Sequence, residues 1–189
     1  IAKYGLINDK HFFRWLEENG QDLCEGNQKL RQRAVLTSCQ AKAGIVSKDE
    51  FEVDERILLN LGHTFGHALE TETGYSNVLL HGEAVAIGIA LAFDLSSHLG
   101  FCQAEEVERV RTHFRLVGLP TVPSDVLGID WNTDALLMHM TNDKKVKEGH
   151  VRFVLAQRIG HAFVADDVTM CDVRQILNQA VGVSGRVYK

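Results

Sequence analysis

Residues 60–70 read NLGHTFGHALE and residues 81–88 read HGEAVAIG, and these two stretches decide the centre of the fold. The apolar residues of the first recur at three- and four-residue spacing, which predicts an α-helix. The second begins the run HGEAVAIGIALAF (81–93), whose apolar part is too short for the roughly 20-residue helix that spans a bilayer, so we predict a buried helix. Three of the nine histidines, His63, His67 and His81, therefore fall on two successive helices.

Helical spacing continues on both sides of these stretches, between Asn8 and Gly118. Alternating apolar and polar residues in VRFVLAQRIGHAFVADDV (151–168) instead predict a β-hairpin that turns at Gly160. The expected fold class is mainly α, a multi-helix bundle with a small β-hairpin near the C-terminus, in one domain over residues 1–189 with a frayed tail at 184–189. The first predicted helix is capped by Asn8 or Asp9 and ends at Leu23, and the third, from Ile57 to Glu70, follows the acidic residues Asp54 and Glu55. The other predicted helices run from about Gln28 to Ile45, from about Gly82 to His98, from Glu105 to Val117, around Asp134 to Met140, and from Met170 to Val181.

Composition limits the classes of function. The chain is 45% hydrophobic and 24% charged, as in ordinary soluble globular proteins. Its net charge of −5 and the absence of any Lys/Arg block longer than DKKVK (143–147) argue against a nucleic-acid partner, and no apolar run is long enough to indicate a membrane partner. Its four scattered cysteines predict reduced thiols and a cytoplasmic protein. The opening IAKYG resembles the middle of an element without a helix cap, so we expect a fragment of a longer protein.

The histidine spacing permits two kinds of chemistry. His63 and His67 are four residues apart, so on a helix their rings lie on one face. They could be two ligands of one metal ion, or one could be a ligand and the other a proton shuttle one turn away, and His81 could return to the same point. The metalloprotease pattern fits poorly, because Thr64 stands where that pattern has its glutamate.

A metal site of this kind needs a further ligand. Catalytic zinc has three protein ligands and one open position, and the candidates for the missing ligand are Glu70, Glu83, an acid from another segment, or a residue before Ile1. The alternative interpretation is that the histidines are hydrogen-bonded packing residues.

A stripe of polar residues leads into the histidines. Arg56 and Asn60 lie seven and three residues before His63, which predicts that they share its helix face. Such a stripe is costly unless it faces a wet or ligand-filled cleft, and it suggests an anionic, hydroxyl-bearing substrate. Lys42 and the Lys144-Lys145 pair would add cationic contacts, although each lysine alone is commonly a solvated surface residue.

The same motifs resemble those of a known family. NLGHTFGHALE followed by HGEAVAIG is similar to the metal-site signature of the 3-dehydroquinate synthases, and IAKYGLI (1–7), DER (54–56) and NDKK (142–145) resemble three further motifs of that family in the same order. The resemblance runs from Ile1 to about Ala165. It implies the C-terminal, mainly helical domain of the family, which carries the metal and most substrate contacts, without the N-terminal Rossmann-like domain that binds NAD.

The resemblance also implies roles for individual residues. His63 and His81 would bind Zn²⁺ or Co²⁺, a glutamate at the position just before Ile1 would be the third ligand, and His67 would relay protons near the substrate. The positions that match substrate-binding residues are Lys3, Lys42, Arg56, Asn60 and one of Lys144 and Lys145.

The activity implied is that of a carbon–oxygen lyase of the shikimate pathway, which leads to chorismate and the aromatic amino acids. The family converts 3-deoxy-D-arabino-heptulosonate 7-phosphate, a phosphorylated sugar acid, to 3-dehydroquinate and phosphate, using and regenerating NAD. A full-length homodimer is implied, and the fragment alone is expected to be inactive. The alternatives are a related sugar-phosphate cyclase, a metal-dependent polyol dehydrogenase, or a non-enzymatic helical module that binds metal or partners.

Overall fold

The computed structural model describes residues 1–49, 55–142 and 151–182. Within them the chain is mainly helical, with one two-stranded antiparallel sheet, as predicted. None of the described helices is both long and apolar enough to cross a membrane. The elements in chain order are α1 (Ala2–Asn8), α2 (Lys10–Glu25), α3 (Gln28–Lys48), a 3-10 helix (Glu55–Asn60), α4 (His63–Glu72), α5 (His81–His98), α6 (Ala104–Leu116), a second 3-10 helix (Pro123–Asp125), α7 (Thr133–Asn142), β1 (Phe153–Arg158), β2 (His161–Ala165) and α8 (Met170–Gly182).

Helix α5 forms the centre of the bundle, as its apolar sequence predicts. It packs against α4, α6, α8 and β1, and its side chains from Ile87 to Leu95 are almost all buried. The one buried hydroxyl on this helix is used: Ser96 Oγ donates to the Ala92 carbonyl at 2.6 Å and accepts from the Ala156 amide at 3.0 Å. This pair of hydrogen bonds fixes β1 to α5 without leaving a buried polar group unpaired.

Helices α1 and α2 form a tight corner at the N-terminal side of the site. The Asp9 carboxylate accepts from the amides of His11 and Phe12 at 3.1 and 2.9 Å, which confirms Asp9 as the cap of the first predicted helix. A Cβ at Gly5 would lie 2.8 Å from the Phe13 amide nitrogen, so α1 rests directly on the backbone of α2. The corner holds Lys3 of α1 beside α4 and α5.

The β-hairpin packs against α1. Phe153 pairs with Ala165, and Gly160 at the turn has a φ of +80°. The Gly160 amide donates to the Leu6 carbonyl at 3.0 Å, which fixes the hairpin tip to α1. The first four residues of β1 are all buried, so the predicted alternation is wrong for this strand, because α1, α5 and the first 3-10 helix all pack on it.

The helix predicted from Ile57 to Glu70 is not continuous. Residues 55–60 form a 3-10 helix, the chain turns at Leu61 and Gly62, and α4 begins only at His63. Gly62 has a φ of +80°, and a Cβ there would lie 2.6 Å from the Ile89 amide nitrogen of α5. The break therefore occurs where the backbone must pass α5 closely in a left-handed conformation, which favours glycine.

The remaining predicted helices are confirmed to within a few residues at each end, which is the usual uncertainty of helix boundaries. The four cysteines are free thiols, as predicted. The tail at 184–189 lies outside the described residues.

Candidate metal and substrate site

The three histidines come together at the crossing of α4 and α5. His63 is the first residue of α4, His67 lies one turn later, and His81 is the first residue of α5. Their ring centroids are 5.4 Å apart for His63 and His67, 5.9 Å for His63 and His81, and 6.4 Å for His67 and His81. The expected return of His81 to the pair on α4 is therefore confirmed.

Glycines on both helices produce this close crossing. A Cβ at Gly88 would lie 2.0 Å from the Gly62 carbonyl oxygen, and a Cβ at Gly66 would lie 3.1 Å from the Ala84 carbonyl oxygen. The two helices run antiparallel, and one turn beyond Gly66 the Glu70 side chain reaches His81. The glycines thus set the separation of the histidines as well as the packing of the core.

The hydrogen bonds of two histidines leave the same ring nitrogen available. His81 Nδ1 lies 3.0 Å from Glu70 Oε1, and His63 Nδ1 lies 3.3 Å from the Leu61 carbonyl oxygen. Both partners are acceptors, so in the neutral form of each ring these contacts favour the tautomer with the proton on Nδ1 and the lone pair on Nε2. This is the usual arrangement of metal-binding histidines, in which an acceptor holds the nitrogen that does not bind the metal.

The two acids considered as metal ligands are both engaged elsewhere. Glu70 accepts from His81, and the Glu83 carboxylate accepts from the Leu80 amide at 2.9 Å, where it caps the start of α5. Among the described residues, no group of three or more His, Cys, Asp and Glu side chains has the disposition of a metal site. Within this part of the chain, His63 and His81 fit as two ligands of an incomplete set, because their donor chemistry suits zinc.

Like charges accumulate beside the histidines. Burial and the neighbouring Lys3 ammonium lower the pKa of His63 to about 4, with smaller contributions from His67 and His81. Burial and the charge of Lys42 lower the pKa of Lys3 to about 8, and the Lys3 ammonium donates to the Leu59 carbonyl at 2.7 Å. At neutral pH His63 is uncharged, as a metal ligand must be.

A cavity of about 670 Å³ opens at this point. Lys3, His63 and His81 line it together with Ile1, and the rest of its wall is mostly apolar side chains from α2, α5 and α6. A pocket that combines apolar walls with a few convergent polar groups is typical of a ligand site.

The other predicted substrate-binding residues differ in their exposure and lie on different elements. Lys42 is exposed on α3, although its charge acts on Lys3. Arg56 and Asn60 are half-buried in the 3-10 helix, so the predicted single helical stripe with His63 is wrong. The Arg56 amide donates to Asp49 Oδ2 at 3.0 Å, which ties this helix to the end of α3. Lys144 and Lys145 lie outside the described residues.

Sequence reasoning missed two acid–histidine pairs on α4. Glu70 was considered only as a metal ligand and not as the partner of His81, and Glu72 Oε2 lies 2.7 Å from His139 Nε2 of α7. The available signal was an acid among the apolar residues of HALE (67–70), because a buried carboxylate needs a partner.

The fold is similar to about half of each of two solved synthase structures. The solved structure of 2-epi-5-epi-valiolone synthase from Streptomyces hygroscopicus subsp. jinggangensis, with NAD⁺ and Zn²⁺ bound, superposes with a TM-score of 0.82 at 27% identity, over 96% of this chain and 49% of that one. The structure of 2-deoxy-scyllo-inosose synthase gives a TM-score of 0.78 over 95% of this chain and 50% of that one, and at 17% identity it supports the fold alone.

The family follows from the sequence comparisons. The model of the family described as "3-dehydroquinate synthase C-terminal" matches residues 1–146, and the chain belongs to this family. Among curated relatives, the 3-dehydroquinate synthase of Paracoccus denitrificans is 53% identical over 95% of this chain, and that of Jannaschia sp. is 52% identical over 96%. The chain spans 49% of the length of each of these two relatives.

Proposed function

We propose that this chain is the metal- and substrate-binding half of a 3-dehydroquinate synthase, a lyase that converts 3-deoxy-D-arabino-heptulosonate 7-phosphate to 3-dehydroquinate and phosphate. The observation that carries the proposal is the cluster of His63, His67 and His81, of which His63 and His81 line one cavity together with Lys3. About half of the residues of this chain are identical to those of curated 3-dehydroquinate synthases. In the full-length protein, NAD would be bound mainly by the domain that precedes this chain.

His63 and His81 would hold the Zn²⁺ or Co²⁺ ion. Their engaged Nδ1 atoms and the low pKa of His63 support this role, because a neutral imidazole with a free Nε2 is what the metal binds. The third ligand would be a carboxylate immediately before Ile1, which lines the same cavity as both histidines. When bound, the metal supplies Lewis-acid chemistry that acidifies a substrate hydroxyl.

His67 would move protons at the substrate. Its ring is one helical turn from His63 and within 6.4 Å of His81, so it lies beside the metal ligands without sharing their helix-end positions. Histidine suits this task because it can both accept and donate a proton near neutral pH. The alternative left open by the spacing, in which His63 and His67 are the two ligands, is less well supported, because His63 and His81 both line the cavity beside Lys3 and each has an acceptor at Nδ1.

The cationic groups would bind the anionic ends of the substrate. The charge of Lys42 lowers the pKa of Lys3 and the charge of Lys3 lowers the pKa of His63, in each case after burial, and a bound carboxylate or phosphate would offset these positive charges. Arg56, Asn60 and one of Lys144 and Lys145 would complete the contacts to the carboxylate, the phosphate and the hydroxyls. The protein would act in the cytoplasm as a homodimer, with no nucleic-acid or membrane partner.

Substrate choice tests this proposal. The full-length protein with NAD and Zn²⁺ is offered heptulosonate phosphate, sedoheptulose 7-phosphate, glucose 6-phosphate and glycerol in separate assays. We expect turnover with phosphate release from the first substrate alone. Turnover of sedoheptulose 7-phosphate would instead favour a related cyclase, which the likeness to 2-epi-5-epi-valiolone synthase makes the second candidate. Turnover of any substrate but the first overturns the assignment.

A further inference from the structure

Glu70 is a buried acid that needs an explanation. The residue is only 8% exposed, and Glu70 is the one acidic residue among the buried polar side chains of the described chain. It lies on the face of α4 that packs against α5, where an apolar side chain would pack at lower cost. A carboxylate in such a position is costly unless it is hydrogen-bonded or paired with a charged or polar group.

His81 is the group that depends on it. As the first residue of α5, with 62% of its side chain exposed, His81 has few packing contacts that would hold its ring. The contact between His81 Nδ1 and Glu70 Oε1, at 3.0 Å, supplies an anchor from a rigid base. The base is rigid because the Glu70 carbonyl also accepts from Thr73 Oγ1 at 3.0 Å and from the Tyr75 amide at 2.9 Å.

This contact also selects the tautomer of His81. An ionised carboxylate only accepts hydrogen bonds, so Nδ1 must carry the imidazole proton. Free imidazole side chains in water do not favour that form to the same degree, and the contact therefore makes Nε2 the free nitrogen for a larger fraction of the time. A ring held in this way binds a metal more tightly, because orientation and basicity both improve.

We infer that Glu70 is a positioning residue of the metal centre, which fixes the tautomer and orientation of His81 and is not itself a ligand. The inference rests on the proposed role of His81 as a metal ligand. It places the third ligand elsewhere than Glu70, because Glu70 Oε1 already accepts from His81 Nδ1.

The test uses Glu70→Ala and Glu70→Gln in the full-length protein, with Glu72→Ala and Glu72→Gln as matched controls. Glu72 lies on the same helix and forms the same kind of pair, with His139, outside the histidine cluster. Two quantities are measured: the Zn²⁺ dissociation constant by competition with a chromophoric chelator, and the tautomer of His81 by ¹⁵N NMR of the imidazole nitrogens in the metal-free protein. Neither quantity requires turnover.

We expect Glu70→Ala to weaken Zn²⁺ binding by about 10- to 100-fold and to move His81 towards the Nε2–H tautomer. Glu70→Gln can still accept from Nδ1, so it should keep the Nδ1–H tautomer and weaken binding less. Both Glu72 variants should bind Zn²⁺ within about twofold of the wild type, since their pair does not reach the cluster. Thermal unfolding of every variant shows whether a loss of affinity is only a loss of fold.

Three results overturn the inference. The first is an unchanged His81 tautomer or unchanged Zn²⁺ affinity in Glu70→Ala. The second is a Glu70→Gln variant that keeps the tautomer but binds as weakly as Glu70→Ala, which would make Glu70 a ligand. The third is a wild-type protein that binds no Zn²⁺. Absence of synthase turnover with the expected affinities and tautomers would instead contradict the proposed function and leave the role of Glu70 standing.

Discussion

At the scale of single residues, basic side chains lie close together in a partly buried region, where burial already disfavours their charged forms. Lys42 lowers the pKa of Lys3, and Lys3 lowers the pKa of His63, in each case after burial as the larger cause. Strongly shifted groups in a cleft are typical of functional sites, because a charge that is unfavourable in the free protein becomes favourable when an anionic ligand binds. The buried charge of Lys3 therefore lowers the stability of the free protein and would favour the binding of an anionic ligand.

Replacing the lysine tests this electrostatic coupling. Lys3→Met should raise the pKa of His63 above about 4, because the neighbouring ammonium is gone, yet leave that pKa below the ordinary 6.5, because burial remains the larger cause. An NMR titration of the metal-free full-length protein measures this shift. Lys29→Met, at an exposed position of α3, is the control and should leave the pKa of His63 unchanged. A His63 pKa that does not move in Lys3→Met would contradict the coupling.

The low pKa of His63 also predicts a pH dependence of stability. The folded-state pKa of about 4 lies below the ordinary 6.5, so between these values the unfolded chain binds more protons. The His63 contribution is fully present above pH 6.5 and is lost as the pH falls towards 4. The measurement is denaturant unfolding of the metal-free wild type and of His63→Gln at several pH values. The free energy of unfolding of the wild type, relative to that of His63→Gln, should rise with pH up to about 6.5 and then level off. A stability difference between the two proteins that does not change with pH would contradict the lowered pKa of His63.

At the scale of the elements, periodicity predicted the helices well and their breaks poorly. The run HGEAVAIGIALAF predicted the buried helix α5, because its side chains are apolar on nearly every face of the helix. The burial of these side chains confirms the prediction. The same reasoning joined Arg56 and Asn60 to His63, because their spacing is helical, and missed the turn at Gly62. That turn is caused by contact with Ile89 of α5, and a long-range contact leaves no periodic signal in the local sequence.

The candidate site was predictable to a similar extent. Motif spacing predicted that His63 and His67 share a face and allowed His81 to return to them, and the ring centroids lie within 6.4 Å of one another. The role of Glu70 was not predictable, because it depends on which turn of α4 faces the first residue of α5. That register is set by the glycine contacts between the two helices.

The glycine crossing gives a prediction for the elements. Gly88→Ala would place a Cβ 2.0 Å from the Gly62 carbonyl oxygen, so α4 and α5 must separate. We expect the free energy of unfolding to fall by about 1–3 kcal/mol and metal binding to weaken, since His63 and His81 lie on the two helices. Gly44→Ala on α3 is the control: nothing lies within 4 Å of its Cβ, so it should be neutral or stabilising by about 0.5–1 kcal/mol. Equal stabilities of the two variants in denaturant unfolding would contradict the close crossing.

At the scale of the whole molecule, most of the described elements share one hydrophobic core. One hydrophobic cluster joins α1, α4, α5, α6, α7, α8 and both strands, and a smaller one of Phe12, Leu16 and Ala34 packs α2 against α3. The cavity beside the histidines is lined by the first residues of the chain, and the chain spans about half the length of its curated relatives. Under the proposed function, the third metal ligand and the NAD-binding residues belong to the longer protein.

Residues 1–189 alone should consequently bind Zn²⁺ more weakly than the full-length protein and show no synthase turnover. The physical reason is that the proposed third ligand and the nicotinamide site lie outside these residues. Isothermal titration of both proteins measures the difference, with His63→Ala in each as the control for specific binding. Tight, stoichiometric Zn²⁺ binding by residues 1–189 that His63→Ala abolishes would contradict the proposed third ligand.

The central claim is the division of labour among the three histidines, and the zinc content of the purified full-length protein tests it most directly. His63→Ala and His81→Ala should lose the metal. His67→Ala should retain about one Zn²⁺ per chain while kcat falls by about 10²- to 10⁴-fold, as expected for loss of a proton-transfer group. His139→Ala, whose partner is Glu72, is the control and should retain zinc. A His67→Ala protein as poor in zinc as His63→Ala, or a His81→Ala protein that keeps its zinc, would contradict the account.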